Sequence, residues 1–333
     1  MNTFSKTIAA IFAVLFVITA VMALILFNFD RRAFNAETYQ QAFARGDFYN
    51  ALPALMAEVM SSSTTDKSQY PNVMQSMSQD AWEAFLRALL PADAMKAMSD
   101  DVLNSTFSYI NLQTDSVQIN LTPLKNSMAG DTGVQAVLSL VQSLPECTAL
   151  QIAEITTAAL TGRSFGFCNP PAELLPVLAP IVQGQLQLAA FAIPDQMTLF
   201  SAPLQDDPRL RLQSIRFFMR ISPILPLLFL LGMTVLAVRS LKEWLNWWGV
   251  PLFITGVAAA ILAVIGGPIL GTLLSSYIDG RMQNFLPTVF LAYTSDLAAA
   301  MANALLKPVL WQGLILAAIG FGLIGVGFFV KKQ

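Results

Sequence analysis

Uncharged apolar runs alternate with one long polar stretch along this chain, and the lengths of the runs are those of membrane spans. Residues 7–29, 221–238, 250–274 and 308–330 are continuous apolar segments. A helix crosses a ~30 Å hydrocarbon core with about 20 such residues. The first run is longer than the ~7–15-residue core of a signal peptide, and its exit, Leu26-Phe27-Asn28-Phe29, lacks a small-x-small cleavage site. Residues 1–29 therefore read as an uncleaved signal anchor, a cleaved leader being the alternative. Residues 221–333 read as a membrane bundle of three helices. Between its last two spans, residues 283–306 are apolar but carry Asp296 and Asn303. A charged Asp at a helix centre costs about 2.5–3.5 kcal/mol on insertion scales. That segment is expected to be an amphipathic helix at or outside the interface, or an extension of the last span. A fifth span there would move the C-terminus across the membrane.

Residues 30–220 are long enough to fold on a core of their own. Most of their apolar spacing is helical. Residues 34–60 predict a helix interrupted at Gly46 and Pro53, followed by a break over 61–65. Further helices are predicted over 78–90, 91–109, 133–144, 148–160 and 171–190. Residues 116–121 alternate Val117, Ile119 and Leu121 with Ser116, Gln118 and Asn120, which predicts a strand. Residues 196–200 are its candidate partner. From Pro208 a helix is expected to run into the 221–238 span. The predicted fold class is mainly α: a polytopic membrane protein of about four transmembrane helices. Its large, mostly helical extracytoplasmic domain contains a minor β-pair.

Composition supports this and narrows the chemistry. Hydrophobic residues make up 55% and charged residues 12% of the chain, against about 25% charged in soluble domains. A net charge of −2 provides no basic footprint for nucleic acid. The chain has 0 histidines, so the usual neutral-pH base and the commonest metal and haem ligand are missing. Gly162-Arg163-Ser164-Phe165-Gly166 matches the nucleophile-elbow pattern. That motif needs a preceding strand and a histidine, so it reads as a loop. No phosphate-binding glycine loop or calcium loop is present. No cofactor, metal site or catalytic residue is predicted.

Cys147 and Cys168 are the only cysteines, and they flank one predicted helix. A disulfide between them is expected to stabilise the domain by about 3 kcal/mol. Free thiols or a redox pair are the alternatives, the latter lacking a Cys-x-x-Cys spacing. Trp244, Trp247, Trp248 and Trp311 suit membrane interfaces. Gly267, Gly271 and Gly313 permit close helix packing. Met56, Met60, Met74, Met77, Met95 and Met98 recur in pairs; ordinary core filling is one use and an adaptable apolar binding face is another.

Sidedness follows from competing signals. Arg31, Arg32, Arg45, Arg209, Arg211, Arg216 and Arg220 flank the polar stretch and oppose its translocation. Long loops, however, cross regardless of charge, and a disulfide persists in oxidising compartments. Both termini are accordingly expected in the cytoplasm, with residues 30–220 outside the cytoplasmic membrane.

The strings Leu144-Pro145-Glu146-Cys147-Thr148, Cys168-Asn169-Pro170-Pro171 and Trp247-Trp248-Gly249-Val250-Pro251-Leu252 resemble uncharacterised bacterial membrane proteins with one extracytoplasmic domain. The resemblance carries no activity. The expected function is non-enzymatic: binding of a protein partner or apolar ligand by the outer domain, as a subunit or assembly factor of an envelope complex. The bilayer and a protein partner or second copy are the expected contacts. A transporter or channel component is the alternative, and a membrane hydrolase a third class. Labelling intact cells with an impermeant thiol reagent should mark Cys147 and Cys168 only after reduction. Labelling without reductant and only after permeabilisation reverses the orientation.

Overall fold

The computed structural model describes residues 3–61, 77–142, 144–153, 168–203, 205–282 and 288–330. The 61–65 break, Met74, the end of the 148–160 helix, Ser164 and its flanking glycines lie largely or wholly outside them. The protein is mainly helical with one two-stranded sheet.

The first apolar run forms α1 (Thr3–Ala33). The 34–60 segment forms α2 (Ala36–Arg45) and α3 (Phe48–Ser61), divided at Gly46-Asp47, where Asp47 takes φ 54°. Pro53 does not interrupt α3; it lies within the helix and is buried. Next come α4 (Gln79–Leu89) and α5 (Ala92–Ile110). Ser78 caps α4 by accepting from Ala81 N at 3.2 Å, satisfying one of the orphan donors of a helix start. After β1 (Ser116–Asn120), a helix that the apolar pattern did not announce, α6 (Thr122–Ala129), precedes α7 (Asp131–Gln142). A short 3-10 turn leads into α8 (Leu175–Ala192), which lies against α6 and α7.

The expected β-pair is present. β2 (Gln196–Ser201) runs antiparallel to β1, Ser116 opposite Ser201 and Asn120 opposite Gln196, with a bulge after Val117. α5 covers the other edge of β1: Gln118 N donates to Ser105 Oγ at 2.8 Å and Asn120 N to Asp101 Oδ2 at 3.1 Å. An edge strand otherwise presents unpaired backbone groups. The polar stretch has its own core, built from Ala57, Met77, Trp82, Phe85, Leu86, Ala136 and Leu140. Cys147 and Cys168 are disulfide-bonded. Cys147 N and Asn169 N donate to Asn169 O and Pro145 O, both at 2.9 Å, tying the same two strands of chain together.

From Pro208 the chain does not run as one helix into the next apolar segment. α9 (Pro208–Ile221) and α10 (Ile224–Ala237) are separated at Ser222-Pro223. Pro223 has no N–H to continue the ladder, and the Ser222 hydroxyl donates to Met219 O at 2.7 Å instead. α11 (Leu241–Met282) and α12 (Thr288–Phe329) are each 42 residues long. At 1.5 Å per residue each extends about 63 Å, twice the ~30 Å of a hydrocarbon core. The 288–306 residues are the first half of α12, the helical extension of the last apolar run.

Among the described residues five helical stretches are long and apolar enough to cross a membrane, one of them Pro208–Ala237 taken across the Ser222-Pro223 break. Another, Ala172–Ala192, lies inside the polar stretch, where no span was expected. α1 packs on α10 through Ala9, Phe16, Ala20, Leu230, Met233 and Ala237. α11 and α12 pair antiparallel along their length, by backbone contact. A Cβ on Gly256 would stand 2.3 Å from Ala317 N and 2.5 Å from Gly313 O; one on Gly320 would stand 2.4 Å from Phe253 N. Gly313, Gly271 and Gly267 lie in this interface, Gly271 against Ala299 and Gly267 against the Asn303 side chain. Replacing Gly256 with valine should destabilise the detergent-solubilised protein by about 1–3 kcal/mol or more. Gly322→Ala, at a position with open space around it, should leave its unfolding temperature unchanged.

Candidate functional site

Two features of the structure carry specific side-chain chemistry. The first is a charge cluster where the polar domain meets the apolar helices. α9 presents Arg209, Gln213, Arg216 and Arg220 at alternating spacings of four and three, which puts all of them on one helix face. Arg209 is buried. It donates to both Asp207 oxygens at 3.0 and 2.8 Å, to Tyr109 O at 3.1 Å and to Thr114 O at 2.8 Å, and lies 4.2 Å over the Tyr109 ring. This hydrogen bonding holds the Asp207 carboxyl below the usual carboxylate range. Gln213 donates to Ile110 O at 3.3 Å. One turn further, Arg216 Nε donates to Asp30 Oδ1 at 2.7 Å, while its Nη1 donates to Asn111 Oδ1 and its guanidinium covers the Phe34 ring at 4.3 Å. Arg220 Nε takes the other Asp30 oxygen at 2.8 Å. Both side chains of the Asp30–Arg216 pair are nearly inaccessible, at 4% and 5%.

Just below, Asn28 and Gln312 exchange amide hydrogen bonds, Asn28 Nδ2 to Gln312 Oε1 at 2.6 Å and Gln312 Nε2 to Asn28 Oδ1 at 3.3 Å. They join α1 to α12. The far end of α1 is fixed separately: Ser5 Oγ donates to Leu236 O at 2.8 Å.

The second feature is an apolar cavity of about 330 Å³ within the polar domain, lined by Phe43, Leu52, Met56, Met95, Met98 and Ile119 with Ser99 among its few polar neighbours. α3 and α5 supply its walls. They are bound together beside it: Tyr49 donates to Asp100 Oδ1 at 3.1 Å, and Lys96 pairs with the same carboxylate. Burial, with the Asp100 hydrogen bond and charge adding to it, pushes the Tyr49 phenol well above its ordinary value.

The six methionines singled out from the sequence thus divide. Met56, Met95 and Met98 line the cavity. Met77 is buried in the domain core, with Met60 packed against it; Met74 lies outside the described residues. The tryptophans divide too. Trp244, Trp247 and Trp248 gather near the start of α11: the first and last have ring centroids 5.1 Å apart, and Trp248 Nε1 donates to Thr234 Oγ1 at 2.8 Å. Trp311 is exposed, next to Gln312 and so at the opposite end of the apolar bundle.

Sequence reasoning counted the α9 arginines as flank charges and missed the cluster. The available signal was their common face and the lone Asp30 at the end of an apolar helix. No family model matches the chain, and neither a curated protein nor a solved structure matches it.

Asp30→Asn would leave the buried Arg216 guanidinium without its counter-charge. The variant should lose about 3–5 kcal/mol of stability, measured by thermal unfolding in detergent. Asp30→Asn combined with Arg216→Met should recover part of the loss.

Proposed function

We propose that the chain is a non-enzymatic integral membrane protein whose outer domain binds an apolar ligand or the apolar part of a protein partner. It would serve as a subunit or assembly factor of an envelope complex. The observation that carries this reading is the methionine-lined cavity. Ligand sites typically occupy about 300–1,000 Å³ and are mostly apolar with a few placed polar groups, and the cavity's volume and lining fall in that class. Methionine suits it because a flexible, polarisable side chain adapts to differently shaped guests.

In this reading residues 30–220 stand outside the cytoplasmic membrane and both termini inside. The charge cluster supports that orientation. Arg209, Arg216 and Arg220 are paired with Asp207, Asp115 and Asp30. They are therefore weaker retention signals than a count of arginines suggests. The disulfide fits an oxidising compartment. α11 and α12 would project past the bilayer on the domain's side, where α12 touches α2. A transport function would call for a polar cavity between these two helices, and the contact found there is backbone against backbone.

The test is photolabelling. A diazirine-bearing alkyl probe, added to membranes containing the full chain, should label peptides spanning Met56 and Met95–Met98. Val102→Trp, which narrows the cavity from its α5 wall, should cut that labelling at least about tenfold, equivalent to about 1.4 kcal/mol of binding. Unchanged labelling in the variant, with its unfolding temperature preserved, would sink the proposal.

A further inference from the structure

The charge cluster forms one wall of a cavity of about 640 Å³ that opens at the foot of the domain, lined by Asp30, Arg31, Phe34, Asn111, Arg216 and Arg220 among others. Beneath it lies a second cavity of about 320 Å³ with an almost wholly apolar lining, including Phe16, Ala20, Phe27, Pro223 and Leu230. The two adjoin. Arg31 lines the upper and Phe27 the lower, and the Arg31 guanidinium stands 5.3 Å from the centroid of the Phe27 ring. On the opposite wall, Arg220 and Pro223 are one helical turn apart across the α9–α10 junction.

Charge in the upper cavity is unbalanced. Its lining holds three guanidinium groups, Arg31, Arg216 and Arg220, against the single carboxylate of Asp30, a local excess of two positive charges (3 − 1). Asp30 divides its oxygens between Arg216 and Arg220. Arg31 is exposed and has no acidic partner among the described residues. Arg220 is half exposed. These two have donors left for an anion, and an arginine fork suits phosphate geometry.

We propose that the paired cavities hold an anionic phospholipid from the surrounding bilayer, its phosphate between Arg31 and Arg220 and an acyl chain along Phe27, Ala20 and Leu230. The order of the two chemistries matches an amphiphile: cationic at the end of α1, apolar along its length. Such a lipid would bridge α1, α9 and α10 where the domain is joined to the helices. The site rests on the reading that these helices cross a membrane, and it is separate from the methionine-lined cavity.

The test uses delipidated full-length protein in detergent, with phosphatidylglycerol or phosphatidylcholine of identical chains added, or glycerol 3-phosphate alone. Phosphatidylglycerol should raise the unfolding temperature by roughly 2–4 °C over phosphatidylcholine. Arg31→Gln, at an exposed position, should abolish most of that difference while leaving the lipid-free unfolding temperature unchanged. Leu227→Trp, at the mouth of the lower cavity, should reduce it as well. Equal shifts with both lipids, or a full phosphatidylglycerol shift in Arg31→Gln, overturn the proposal. Glycerol 3-phosphate matching the lipid also overturns it, by revealing a small-anion site without a chain. Protein that stays monodisperse after detergent removal refutes the membrane reading itself, an outcome distinct from these.

Discussion

The carboxylate of Asp30 fastens the polar domain to the apolar bundle. A buried charge is tolerated only when paired and hydrogen-bonded. Here the two oxygens are divided between Arg216 and Arg220, so the end of α1 and the face of α9 cannot move independently. Because Arg216 also holds Asn111 and covers Phe34, the same group reaches the end of α5 and the chain leading into α2. Arg209, two turns earlier, repeats the arrangement on Tyr109, Thr114 and Asp115. α9 is thus a polar spine between a helical domain and a bundle of apolar helices. Buried ion pairs are weak contributors to net stability but strong constraints on geometry, since losing one partner strands the other.

The bundle below uses a different physics. Lipid chains are as apolar as leucine, so helices in such surroundings associate by close packing and occasional polar contacts. α11 and α12 meet through Gly249, Gly256, Gly313 and Gly320, the two on each helix one heptad apart, with backbone atoms where side chains would otherwise lie. The Asn28–Gln312 amide pair is one such polar contact, fixing α1 against α12. Together these define a rigid frame, and the extra length of α11 and α12 carries it past the thickness of a single bilayer.

The domain's cavity is built largely by α3 and α5, which Tyr49 joins by donating to Asp100, while Gln40 ties α2 to α5 by donating to Asp100 O. Three of the methionines read as an apolar face do converge there. Met77 and Met60 belong to the core, where the same flexible side chain fills gaps. Spacing alone cannot separate these uses, because both place methionines at helical intervals.

Apolar run length and helical or alternating periodicity were sufficient to locate α1, α10, α11, α12, most domain helices and the β1–β2 pair, because those signals are local. The cysteine pair was equally legible, there being only two to join. What local pattern could not supply was long-range electrostatics. Asp30 and Arg216 are distant in sequence, and neither has a local partner that marks it. The glycine contacts at Gly249 and Gly256 are likewise tertiary. Each depends on which neighbour stands opposite, and opposition between distant segments is settled only when the chain has folded.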